Sequence, residues 1–75
     1  MKAVIVTWDD AHDLTETWTA RPDLDSGPFI VTSIGFLLED VKPEYVVIAQ
    51  SFVEDDVDNA LAIPVGMVRS LRVIA

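Results

Sequence analysis

The chain has 75 residues, a mass of 8.3 kDa, a formal net charge of −8 and an apolar content of 51%. A folded protein of this size exposes roughly 4,600 Å² and hides only about 60% of its extended surface, so one domain over residues 1–75 with one modest core is the ceiling. The apolar content excludes a disordered acidic tail, and the absence of cysteine excludes a disulfide framework, a thiolate metal site and a cysteine nucleophile.

The apolar segments read as strands. Residues Lys2 to Trp8 are β-branched and aromatic, with Val4, Val6 and Trp8 on one side and Ala3, Ile5 and Thr7 on the other. No signal-peptide pattern precedes the acids that begin at Asp9, and no apolar run approaches a membrane span, so a soluble, cytoplasmic protein is expected. The stretch Asp9 to Pro28 is ambiguous: Asp10 suits the cap of a short helix over Ala11 to Trp18, whereas Thr15, Thr17 and Thr19 favour a ragged edge strand. Arg21 to Pro28 reads as a turn-rich connection.

Phe29 to Leu38 is the second strand, with Gly35 inside it marking a bulge or sharp bend. Tyr45 to Phe52 is the third. Glu54 to Asn59 reads as a hairpin loop, and Ala60 to Ile63 as a short fourth strand ended by Pro64. The tail admits a helix, through Ile63, Met67, Leu71 and Ile74, or a 3₁₀ turn after Pro64 followed by a last strand. Gly66 and the valines favour the turn and strand. The sum is an all-β fold, a small antiparallel SH3-like or Sm-like barrel of about five strands.

All 13 acids fall in three short windows. Asp9 to Asp25 carries Asp9, Asp10, Asp13, Glu16, Asp23 and Asp25 against Arg21, Glu39 to Glu44 carries three acids against Lys42, and Glu54, Asp55, Asp56 and Asp58 stand without a base. The remaining bases, Lys2, Arg69 and Arg72, lie in apolar segments near the two ends.

Several segments carry a resemblance. Val-Thr-Trp-Asp-Asp-Ala at residues 6–11, Trp18, Ser33 to Leu38 followed by acids, Val47 to Ser51, and Ile63-Pro64 with Met67, Val68 and Leu71 resemble small uncharacterised proteins encoded by tailed bacteriophages. That resemblance implies a phage setting, and hence the cytoplasm of a host cell. The order of a glycine-bearing strand, acidic turn, valine-rich strand and Ile-Pro turn is also similar to the Sm-like group, which implies rings that bind RNA.

Chemistry finds little footing. Asp9, Asp10, His12, Asp13 and Glu16 are a dense set of oxygen and imidazole groups, but one histidine without cysteine or a ligand spacing reads as a solvated loop, so no metal is expected. Asp23 to Gly27 and Asp55 to Asn59 are fragments of calcium loops that lack the distant glutamate. Ser33 and Ser51 sit in strands away from His12, and Gly27, Gly35 and Gly66 are scattered, so neither a triad nor a phosphate cradle is formed. No cofactor and no enzymatic activity are expected.

Binding remains. Trp8 suits the core, while Trp18, among threonines, suits either the core or an apolar anchor. The expected partner is a protein with a basic face, met by Asp9, Asp10, Asp13, Asp55, Asp56 and Asp58 with Trp18. Self-association into a homo-oligomer hides the surplus apolar surface. Five bases against 13 acids disfavour RNA or DNA binding, for which Lys2, Arg69 and Arg72 are the available phosphate contacts. Inhibition of a host protein, by acidic mimicry of nucleic acid or by sequestering a small ligand, is the other class.

Overall fold

The computed structural model describes residues 1–11, 17–24 and 27–75. It contains five strands, β1 (Ala3–Asp9), β2 (Ile30–Leu38), β3 (Tyr45–Val53), β4 (Asp56–Pro64) and β5 (Val68–Val73), with 3₁₀ turns at Arg21–Asp23 and Val65–Met67. The described residues form one antiparallel sheet in the order β4-β3-β2-β1-β5. An all-β chain of five strands is thus as the alternation predicts, and the tail is turn and strand. The turn opens directly after Pro64, whose missing N–H costs nothing at a turn start.

The fourth strand departs from expectation. It begins at Asp56, four residues before Ala60, and the connection is only the two-residue turn Glu54–Asp55. Glu54 takes a positive φ of 53° there, the conformation that a tight hairpin demands. Asp56 and Asp58 alternate with Val57 as edge-strand residues do, although their composition reads as loop.

Pairing registers fix which side chains share a face. Val4, Val6 and Trp8 of β1, Gly35 and Leu37 of β2, Ile48 of β3, Ile63 of β4 and Leu71 of β5 lie on one face. There Val4, Val6, Ile48 and Ile63 form the buried cluster, with Trp8, Leu37, Val46 and Val68 packed against it. Val4 and Val6 come from one end of the strand order and Ile48 and Ile63 from the other, so the sheet folds over on this face.

Gly35 is where it does so. Residues Ile30 to Phe36 pair with β1, whereas only Phe36 to Leu38 pair with β3, at Val47 to Ala49. A Cβ at Gly35 would stand 2.9 Å from the Ala49 carbonyl oxygen and 3.1 Å from Ile48 Cβ, so the close crossing requires glycine. On the other side, Val65–Met67 alone connect β4 to β5, the two outer strands. Four Cα steps reach at most about 14 Å, which forces the edges toward each other. The ladder still does not close: β4 and β5 are not paired with each other, so the expected closed barrel is instead an open, folded-over sheet. Three pairs between β2 and β3 are too short a ladder to carry the curvature round.

Trp8 reaches the core with a polar handle. Its Nε1–H donates to Ser33 Oγ at 3.1 Å across β1 and β2. Ser33→Ala leaves that indole N–H without its acceptor, and a loss of about 1 kcal/mol is expected, read as a lower urea midpoint at unchanged m.

Candidate functional site

The site is built on the β3–β4 hairpin. β3 pairs with β4 along its whole length, from Tyr45 opposite Pro64 to Val53 opposite Asp56. Beyond Ala49 it has left β2, so Gln50 to Asn59 form a two-stranded arm. The arm exposes Phe52, Val53 and Val57 together with Glu54, Asp55, Asp56 and Asp58. Phe52 meets Phe36 edge-on, ring centroids 4.9 Å apart, and this contact ties the root of the arm to β2. Across the arm, Asn59 Nδ2 donates to Gln50 Oε1 at 2.6 Å.

Between the arm and β2 lies an open cleft of about 340 Å³ bordered by Ser33, Ile34, Ile48, Gln50, Asn59 and Leu61. Two other hollows are a cleft of about 420 Å³ between Glu44, Tyr45, Pro64 and Val65 and one of about 250 Å³ on the arm itself, beside Phe52, Val57 and Asp58.

The acids expected to meet a partner divide into two groups. Asp55 is in the hairpin turn and Asp56 and Asp58 are on the outer strand; among the described residues no ion pair neutralises Glu54 or any of these three. Asp9 is the last residue of β1, and its Oδ1 accepts from Arg69 Nε at 2.6 Å, so it serves the β1–β5 ladder. The ladder bulges there, between Thr7 and Trp8. Asp10 follows, its N–H donating to the Phe29 carbonyl at 2.8 Å.

His12, Asp13 and Glu16, and with them the middle of the expected helix over Ala11 to Trp18 and two of the four carboxylates of the cluster, lie outside the described residues, while Ala11, Thr17 and Trp18 are not helical. Asp25 and Ser26 do so too. Trp18 is fully exposed at 102% and therefore stands on the surface. Among the described residues no three His, Cys, Asp or Glu side chains gather as metal ligands, and no helix is long and apolar enough to cross a membrane.

The possible phosphate contacts do not form a patch. Lys2 Nζ lies 3.6 Å from Glu39 Oε1, Arg69 is held by Asp9, and Arg72 is exposed on β5 with no ion pair among the described residues. The feature that sequence reasoning missed is the cleft edge of β2. Its signal was the unbroken β-branched set Ile30, Thr32 and Ile34 on a strand whose partner turns away. Comparison with family models, with curated proteins and with solved structures found no match.

Proposed function

We propose that the protein is a non-enzymatic binding module that associates with further copies of itself and engages a basic protein face through its acidic hairpin. The observation that carries this reading is the arm: four carboxylates and three large apolar side chains stand exposed on ten residues, Gln50 to Asn59. Apolar surface beside unpaired charge of one sign is the composition of a surface built to be covered. Trp18 supplies a further aromatic anchor.

Self-association follows from the size of the core. Among the described residues the buried hydrophobics are Val4, Val6, Val47, Ile48, Ala49 and Ile63, while the chain exposes 5886 Å² against roughly 4,600 Å² for a compact monomer of its mass. The radius of gyration is 15.5 Å, where a compact domain of this length has about 11 Å. Among the described residues both outer edges are unpaired, β4 carrying Asp56 and Asp58 and β5 carrying Arg72 beside the Asp9-bound Arg69. Pairing like edges sets like charges opposite each other, whereas β4 of one copy against β5 of another matches them.

The host-inhibitor reading has one specific support. Asp56 and Asp58 are successive residues on one face of an edge strand, about 7 Å apart, a regular row of negative charge that suits a groove built for a polyanion. A phage origin is compatible with it. RNA binding by a ring of such copies meets the repulsion of every subunit's −8 charge and has only Arg72 as an unpaired base on the sheet.

Capture from host lysate with wild-type protein and with the Asp55→Asn, Asp56→Asn, Asp58→Asn variant tests this reading. The variant is expected to lose a specific protein band, with association slowed about tenfold or more at low salt and less as salt rises. Equal capture by both forms contradicts the acidic-hairpin reading, and recovery of RNA in place of protein supports the nucleic-acid alternative.

A further inference from the structure

We propose that the inner edge of β2, from Ile30 to Ile34, is a docking site for an extended, basic segment of the partner protein, which adds to the sheet as a strand. The proposal rests on the basic-partner reading above and specifies the partner's conformation at the contact.

The backbone parity of β2 carries it. Leu37 N–H donates to the Lys2 carbonyl and Asp10 N–H to the Phe29 carbonyl, each at 2.8 Å, so the odd-numbered residues of β2 bond to β1. In an antiparallel ladder the alternate residues point their N–H and C=O the other way. Ile30, Thr32 and Ile34 therefore present these groups toward β3, but the β2–β3 ladder ends at Phe36 opposite Ala49. Across the cleft, Val65 N–H donates to the Glu44 carbonyl at 3.0 Å, so the even-numbered residues of β3 bond to β4. Ser51 and Val53 consequently turn their backbone groups toward the vacated side. All five residues are exposed, Ile34 to 65%.

An edge of this kind is unusual because nothing on it discourages pairing. The outer edge of β4 carries Asp56, Asp58 and Pro64, devices that restrict what can add there. The inner edge of β2 carries Ile30, Thr32 and Ile34, all strong strand formers without charge. An added strand would extend the existing unit β5-β1-β2, and its inward side chains would enter the cleft over Ile48 and Leu61.

Charge selects the occupant. None of the arm's acids lines the cleft: Glu54 and Asp55 are at the arm's tip, and Asp56 and Asp58, opposite Val53 and Ser51, lie on the face that Ile48 and Leu61 do not share, while no Lys or Arg occurs between Phe29 and Val41 or between Pro43 and Val68. A segment alternating basic with β-branched residues satisfies all three, its backbone pairing with β2, its β-branched side chains over Ile48 and Leu61, and its basic ones on the opposite face, which Asp56 and Asp58 share.

The test uses the full chain and a blocked synthetic peptide of about nine residues alternating lysine with valine. Binding is expected to slow amide exchange at Ile30, Thr32 and Ile34. N-methylation of alternate peptide residues on the bonding edge should weaken binding about tenfold or more, as should Thr32→Pro, which removes a cleft-facing N–H while Val31 and Ser33 keep their bonds to β1. Where Thr32→Pro fails to fold, the exchange pattern of the wild-type protein decides.

If the Asp55, Asp56 and Asp58 to Asn variant weakens binding but N-methylation on either edge does not, the strand inference is overturned and the basic-partner reading stands. Protection at the outer edge of β4 or β5 instead of β2 also overturns it. Absence of any binding removes the strand inference, while the lysate comparison continues to judge the basic-partner reading.

Discussion

Ile63→Ala is expected to lower stability by about 3 kcal/mol, within the range for truncating a buried isoleucine. Ile63 is completely buried and is one of six buried hydrophobic residues among those described. It joins β4 to the cluster of Val4, Val6 and Ile48, so the cavity left behind opens between the two halves of the folded sheet. Few neighbours stand ready to collapse into it. A loss of this size is a large part of the total stability of a 75-residue chain, about 4 to 11 kcal/mol. A melting temperature at least about 10 °C below wild type is expected by circular dichroism. A shift of a degree or two contradicts the placement of Ile63 at the centre of the core.

Gly35→Ala is expected to cost about 2 kcal/mol, because the new methyl group meets a backbone carbonyl at 2.9 Å and cannot be accommodated by a rotamer change. Alanine would otherwise be mildly favoured over glycine in a strand, so a loss reports the close crossing itself. Gly66→Ala is the matched control: its added Cβ meets nothing within 4 Å. Denaturant unfolding should separate the two, with Gly35→Ala shifted to a clearly lower midpoint and Gly66→Ala near wild type. Equal midpoints contradict the assignment of Gly35 as the point where β2 passes from β1 to β3.

Gly35 was legible from sequence because a glycine weakens an otherwise β-branched strand and is kept where another backbone comes too close for a side chain. Val4, Val6 and Trp8 on one face were legible from their alternation, since a strand of period two has only one register that buries them. The start of β4 was not legible. Asp55, Asp56, Asp58 and Asn59 have turn composition, and their strand conformation is set by the pairing of Asp56 with Val53 and Asp58 with Ser51, a tertiary constraint that overrides local preference. The hairpin turn was hidden too, because Glu54 adopts a positive φ that sequence rules reserve for Gly, Asn or Asp.

Closure of the barrel depends on ladder length between β2 and β3, which no side-chain pattern specifies. The candidate site was legible as charge and not as geometry. Asp9 and Asp55 to Asp58 carry the same chemistry in the sequence, yet Asp9 is held by Arg69 sixty residues away and the hairpin acids are not. The pairing of Arg69 was foreseeable in kind, since an arginine on an apolar strand needs a carboxylate, while the choice of Asp9 comes from the β1–β5 register.

The most direct test of the account is sedimentation equilibrium of the purified chain across micromolar concentrations. The proposed self-association would cover large apolar side chains that stand exposed, among them Trp18, Phe29, Ile34, Phe52, Val53 and Val57, so a mass that is a multiple of 8.3 kDa is predicted, falling toward the monomer only on dilution. A single 8.3 kDa species throughout that range would contradict self-association and leave the exposed apolar surface to other partners alone.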